Sequence, residues 1–151
     1  MSGSRTVLVM GGTRGIGKGI ARVFCQQGDQ VVVVGRDAEA GRACVAELAM
    51  ASALPPHFAQ ADVRDRTALE TLVAVVAERH GGLDVLCCNA GVFPQATLES
   101  MREEEWESIF ATNLKGMLFS IQACLPWLKH SGAGRIVLTS SITGPITGYP
   151  G

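Results

Sequence analysis

The sequence predicts a doubly wound parallel α/β sheet in three layers, and three observations carry that reading. Short apolar runs alternate with longer stretches of helical periodicity along the whole chain. The runs are nearly continuous in Val, Leu and Cys, the pattern of strands covered on both faces. A glycine-rich segment, GGTRGIGKG from Gly11 to Gly19, stands where such a sheet makes its first strand-to-helix turn.

The elements follow in order. TVLVM, Thr6 to Met10, is the first strand. Ile16 to Gln27 is a helix with Ile16, Ile20, Val23 and Phe24 on one stripe, ended by Gly28-Asp29. Gln30 to Val34 is the second strand and Asp37 to Met50 the second helix, with Ala40, Cys44, Val45 and Leu48 facing inward. Pro55-Pro56 breaks the chain before a third strand, His57 to Ala61. Thr67 to His80 is the third helix, with Leu69, Leu72, Val73 and Val76 as its stripe and Gly81-Gly82 as its stop. Asp84 to Cys88 is the fourth strand. Glu103 to Lys129 holds one long helix carrying Trp106, Ile109, Phe110, Leu114, Met117 and Ile121 at helical spacing, with a kink or division expected at Pro126. Arg135 to Thr139 is the fifth strand, after which the fold is expected to be truncated. Successive βαβ units with right-handed crossovers stack these pieces into one domain, 1–151.

Composition bounds the functions. The 151 residues are 47% hydrophobic and 18% charged, which supports a packed core. Thirteen basic and fourteen acidic residues leave a net charge of -1, so no basic field favours nucleic acid. No apolar run approaches the roughly 18 residues of a membrane span, and the start of the chain lacks a signal-peptide pattern. A cytoplasmic protein is expected. The cysteines are Cys25, Cys44, Cys87, Cys88 and Cys124. Neighbours on a strand point to opposite faces, so Cys87 and Cys88 make a poor disulfide or metal clip. Buried free thiols in a reducing compartment are expected, and no metal site.

Ligands of such sheets bind beyond the carboxyl ends of the strands. After the first strand, Gly11, Gly15 and Gly17 give the positive φ of a tight turn and let a pyrophosphate reach the backbone at a helix N-terminus. Gly19 is expected to pack the helix closely on the sheet. After the second strand come Gly35-Arg36-Asp37. Asp37 reads as the cap of the second helix. Gly35 and Arg36 then hold the positions that discriminate NAD from NADP, and Arg14 approaches from the glycine loop. A solvated surface charge is the alternative for either arginine alone; together they predict NADP(H) over NAD(H). Asp62-Val63 follow the third strand. The carboxylate reads as an acceptor for the adenine amino group, with Val63 on the ring, or as a plain cap for the third helix. Asn89-Ala90-Gly91 after the fourth strand leave room for the ribose, and Ser140-Ser141 after the fifth put a hydroxyl near a substrate oxygen. A methyltransferase also uses a glycine loop, but it wants an acidic residue at the end of the second strand.

In this order the motifs resemble the short-chain dehydrogenase/reductase family over essentially the whole chain, with a Rossmann-like fold. GGTRGIG is similar to its T-G-x-x-x-G-x-G cofactor loop, with Met10 for the usual threonine; the resemblance assigns Gly11, Thr13, Arg14, Gly15, Ile16 and Gly17 to the cofactor. DVLCCNAG resembles its N-N-A-G element, with Cys88 for the first asparagine. WESIFATNLKG places the catalytic asparagine at Asn113, and GRIVLTSS places the catalytic serine at Ser141. The implied chemistry is hydride transfer between NADPH and a small-molecule carbonyl or acyl-thioester substrate, closest to 3-oxoacyl-[acyl-carrier-protein] reductases. In it serine bonds the carbonyl oxygen, asparagine holds a relay water, and a tyrosine moves the proton beside a lysine that lowers its pKa.

The family's Tyr-x-x-x-Lys element has no counterpart here. Tyr149 lies eight positions past Ser141 in a G-Y-P-G turn with no lysine after it, and is expected to line the substrate entrance. A homo-oligomer is expected of the full-length protein. The 151-residue chain alone is expected to be marginally stable or associated, and non-catalytic.

Overall fold

The computed structural model describes residues 4–93 and 96–141. Five parallel strands, β1 (Thr6–Met10), β2 (Gln30–Gly35), β3 (His57–Gln60), β4 (Val85–Cys88) and β5 (Arg135–Leu138), lie in the order β3-β2-β1-β4-β5. The chain therefore steps outward from β1 to β3, returns to β4 on the other side of β1, and leaves a crevice where the order reverses. Register is fixed at the centre, with Leu8 beside Val32 on one side and Leu86 on the other.

The helices are α1 (Gly15–Gln26), α2 (Ala38–Ala49), α3 (Arg66–His80), α4 (Glu103–Phe110) and α5 (Gly116–His130), with a π-helical turn, Ala111–Lys115, between the last two. Alternate strand residues feed two cores. Val7, Val9, Val31, Val33, Val85 and Cys87 pack with Ala21, Cys25, Cys44 and Leu48 of α1 and α2. Leu8, Met10, Val32, Val34, Leu86 and Cys88 pack with Leu69, Val73, Cys124 and Leu128 of α3 and α5. Cys87 and Cys88 thus face opposite layers, and all five cysteines are buried and free. Burial pushes the Cys87 thiol up to about 11 and Cys88 to about 12, so both are inert. No helix among the described residues is long and apolar enough to cross a membrane.

Three expectations change. The α1 stripe holds only in part. Ile20 and Phe24 pack against the core, but Gly17, Ala21 and Cys25 are the buried line, and Ile16 and Val23 are 68% and 52% exposed. Gly19 faces open space, and the close approach belongs to Gly17. The long helix is not divided at Pro126, which lies exposed inside an unbroken α5; it is divided at the π-helical turn. Pro126 denies its amide to the Gln122 carbonyl, but that residue is also exposed and solvent can serve the carbonyl. The face of α5 on the sheet is the small-residue line Gly116, Ser120 and Cys124, continued by Leu128. Trp106, Phe110, Leu114 and Leu118 face outward, and on β5 Ile136, Val137 and Leu138 stay 40–49% exposed. Tyr149 lies outside the described residues.

The β3 edge carries a titrating pair. The rings of His57 and His80 stand 5.3 Å apart at the start of β3 and the end of α3. Both pKa values are held below the ordinary 6.5, first by burial, with Arg79 adding repulsion to each. A depressed histidine pKa contributes stability above pH 6.5 that is lost as pH falls toward the folded-state value. Urea unfolding of the full-length protein between pH 7 and 5 should therefore show a decline that His80→Gln flattens. Equal slopes in the two proteins would remove the pair as its cause.

Candidate functional site

The glycine loop is built around one carbonyl. The Asn89 amide donates to Gly11 O at 3.2 Å, and a Cβ on residue 17 would overlap that same oxygen. Gly11 has φ +70, and a Cβ there would stand 2.7 Å from the Ala90 main chain. The ends of β1 and β4 are thereby joined backbone to backbone. Gly15 has φ +53 and open space ahead of it. Arg14 is the N-cap residue of α1 in an extended conformation, and its side chain makes no capping bond. The first N–H groups of α1 are left for another acceptor, which fits the phosphates of a dinucleotide.

The end of β2 is held to this loop through Thr13. A Cβ on Gly35 would meet the Thr13 methyl at 2.9 Å. Asp37 Oδ1 accepts from the backbone N–H groups of Glu39 and Ala40 at 2.9 and 3.0 Å, so Asp37 caps α2 through that oxygen. Arg36 is left exposed, with its main chain tied by the Gln60 amide, which donates to the Arg36 carbonyl at 2.9 Å. Asp62 does not cap α3; Asp65 does, accepting from Ala68 N–H. The Asp62 carboxylate instead takes Arg64 through its backbone N–H at 2.9 Å and its guanidinium at 2.6–3.0 Å, with Arg36 at 4.0 Å. The Arg64 hydrogen bond holds Asp62 below the usual carboxylate range. Val63 is 7% exposed, and a Cβ on Gly116 would stand 2.7 Å from its side chain. What Val63 offers the crevice is its main chain.

The π-helical turn carries Asn113. Its Oδ1 accepts from Val92 N–H at 2.8 Å and its Nδ2 donates to Val92 O at 2.9 Å. The amide is thus engaged through both its oxygen and its nitrogen in holding the segment after Gly91, with one N–H and one lone pair left over, and Gly91 lies beside it. Ser141 lies exposed three residues past β5, whose end is fixed by Thr139 N–H donating to Cys88 O at 3.0 Å. Sequence reasoning missed Arg64, Val92 and Gly116. Arg64 stood two residues from a carboxylate already singled out, a spacing at which a turn brings side chains together; Val92 acts through its backbone and leaves no signal.

The chain has known relatives. The short chain dehydrogenase family matches residues 5–151, and the chain belongs to it. It is 33% identical over 148 residues to an uncharacterized oxidoreductase of Listeria monocytogenes, covering 98% of this chain and 59% of that protein. It is 33% identical over 151 residues to the 3-oxoacyl-[acyl-carrier-protein] reductase FabG of Staphylococcus aureus, covering 100% and 61%. The crystal structure of an actinorhodin polyketide ketoreductase variant with NADPH superposes with a TM-score of 0.88 at 36% identity, covering 93% and 54%. The chain therefore spans about three fifths of the curated relatives it matches.

Asn113→Ala should strip both partners from a part-buried Val92 peptide. A loss of about 1–3 kcal/mol is expected from urea unfolding of the full-length protein. An unchanged midpoint and slope would mean that the Val92 groups are served equally well by water.

Proposed function

We propose that the full-length protein is an NADP(H)-dependent oxidoreductase acting on a carbonyl or β-ketoacyl thioester. The observation that carries this reading is the end of β2. Its acidic residue, Asp37, caps α2, while Arg36 is exposed and Arg14 stands in the glycine loop. A ribose with a free 2′-hydroxyl wants a carboxylate there, and a 2′-phosphate wants arginine. The family membership, and the NADPH in the crystal structure of the ketoreductase variant, support a nicotinamide cofactor.

In this reading the N–H groups of Gly15, Ile16 and Gly17 take the pyrophosphate, and Ile16 flanks it with apolar surface. Arg14 and Arg36 take the 2′-phosphate. Asp62 accepts from the adenine amino group, the Val63 main chain lies beneath the ring, and Asn89, Ala90 and Gly91 line the ribose. When bound, the nicotinamide supplies or accepts the hydride. Ser141 donates its hydroxyl to the substrate oxygen. Because the Asn113 amide is engaged by Val92, a relay water would meet the main chain of the π-helical turn, where wider hydrogen bonding frees a carbonyl. The outward line of Trp106, Phe110, Leu114 and Leu118 supports self-association of the full-length protein.

The length of the polypeptide separates this reading from cofactor binding without turnover. A polypeptide ending at Gly151 should bind NADPH and leave carbonyls unreduced, whereas protein of the relatives' length should reduce a β-ketoacyl thioester. Absence of turnover by the longer protein across a wide carbonyl panel would sink the enzymatic reading.

Arg36→Asp should weaken NADPH about tenfold or more, the worth of one charge-assisted contact, and shift preference toward NADH. An unchanged ratio of dissociation constants would mean that Arg36 does not touch the phosphate. Ser141→Ala should abolish reduction and leave the NADPH dissociation constant where it was; a large rise would place Ser141 on the cofactor side.

A further inference from the structure

The two arginines around Asp62 are unequally placed. Arg64 meets the carboxylate with a forked guanidinium and with its own backbone N–H, at 2.6–3.0 Å. Arg36 stands 4.0 Å from Oδ2, outside hydrogen-bond range, with 57% of its side chain exposed. A carboxylate has about four lone-pair sites, and Arg64 uses most of them. Remove Arg64, and the nearest cation able to claim the vacated oxygens is Arg36. Little strain would oppose the move, since closing about an ångström needs only a rotamer change in a long exposed side chain.

That capture would cost the cofactor site its phosphate ligand. Gln60 holds the Arg36 main chain beside Asp62, so a guanidinium drawn onto that carboxylate is withdrawn from an anion at the end of β2. We propose that Arg64 is a positioning residue for cofactor selection: by occupying Asp62 it keeps Arg36 free for the 2′-phosphate of the dinucleotide. The inference rests on the NADP(H) reading above.

Titration calorimetry on the full-length protein tests it, with 2′,5′-ADP and 5′-AMP as probes that differ in the 2′-phosphate. The wild type should prefer 2′,5′-ADP, and Arg36→Ala should abolish the preference. Arg64→Ala should reduce it about three- to tenfold, part or all of one charge-assisted contact, a ratio from which any change at the adenine shared by both probes cancels. Arg64→Lys, which keeps the charge but not the fork, should fall between. Removing the competing carboxylate supplies the decisive arm. Asp62→Asn should raise the preference far more in the Arg64→Ala background than in the wild type, because only there has Asp62 captured Arg36. Additive effects of the two substitutions would mean that Arg64 acts by its distant charge alone and would overturn the proposal. An unchanged preference in Arg64→Ala, with Arg36→Ala still abolishing it, would overturn the proposal and leave the NADP(H) reading standing. A wild type without preference would overturn both. Circular dichroism of each variant separates lost folding from lost selection, and Arg64→Lys carries the test if Arg64→Ala does not fold.

Discussion

The Gly11 carbonyl oxygen accepts the Asn89 amide and occupies the space that a Cβ on residue 17 would fill. Three strand-end features meet at that atom: the turn after β1, the first turn of α1 and the loop after β4. Because Gly17 meets the Gly11 carbonyl and Gly11 meets the Ala90 main chain directly, no side chain is tolerated at positions 11 and 17. The same closeness sets the crevice. With β1 and β4 drawn together on one side and Thr13 seated against Gly35 on the other, the glycine turn has a single position over the sheet. The α1 N-terminus that follows it has no side-chain cap, and an anion placed there would meet dipoles that need no reorganisation.

Capping makes the same point from the electrostatic side. The helices α2 and α3 carry their own acceptors, Asp37 and Asp65, in the positions where their first N–H groups need them. The α1 N-terminus has Arg14 there, without a capping bond, and no acid in its first turn. A carboxylate in either place would compete with a phosphate and repel it. With none at α1, the partial positive charge of that helix stays available, and the carboxylate at the end of β2 is used as a cap.

Much of this was legible in the sequence because the physics is local. Strand runs of Val and Leu, the Gly81 stop and the Asp37 cap each depend on a few neighbouring residues, and each is found where the pattern places it. The failures share a different cause. Large side chains suggest the α1 stripe, yet the sheet-facing positions are Gly17, Ala21 and Cys25, because a helix that must bring its N-terminus onto a crevice has to approach closely. Small residues mark that approach and carry almost no hydropathy signal. The Asp62–Arg64 pair was legible in spacing but not in outcome, since either partner had an alternative as a cap or a solvated charge. The Asn113–Val92 pairing was beyond reach, because one partner is main chain and the other lies 21 residues away.

The π-helical turn follows from the same economy of space. Residues four apart advance about 40° around a straight α-helix at each step, so a line from Thr112 through Gly116, Ser120 and Cys124 to Leu128 would drift about 160° off one face. All five are nevertheless buried. A wider turn advances less per residue and turns the chain back, and it falls at Ala111–Lys115, where the drift would otherwise carry Thr112 away from the sheet. Gly116 then settles against Val63 at the end of β3, closer than any side chain would allow. Asn113, one residue past Thr112, is thereby brought to the loop after β4, within reach of both polar groups of Val92. The device that keeps small residues on the sheet is thus the device that delivers Asn113 to the crevice.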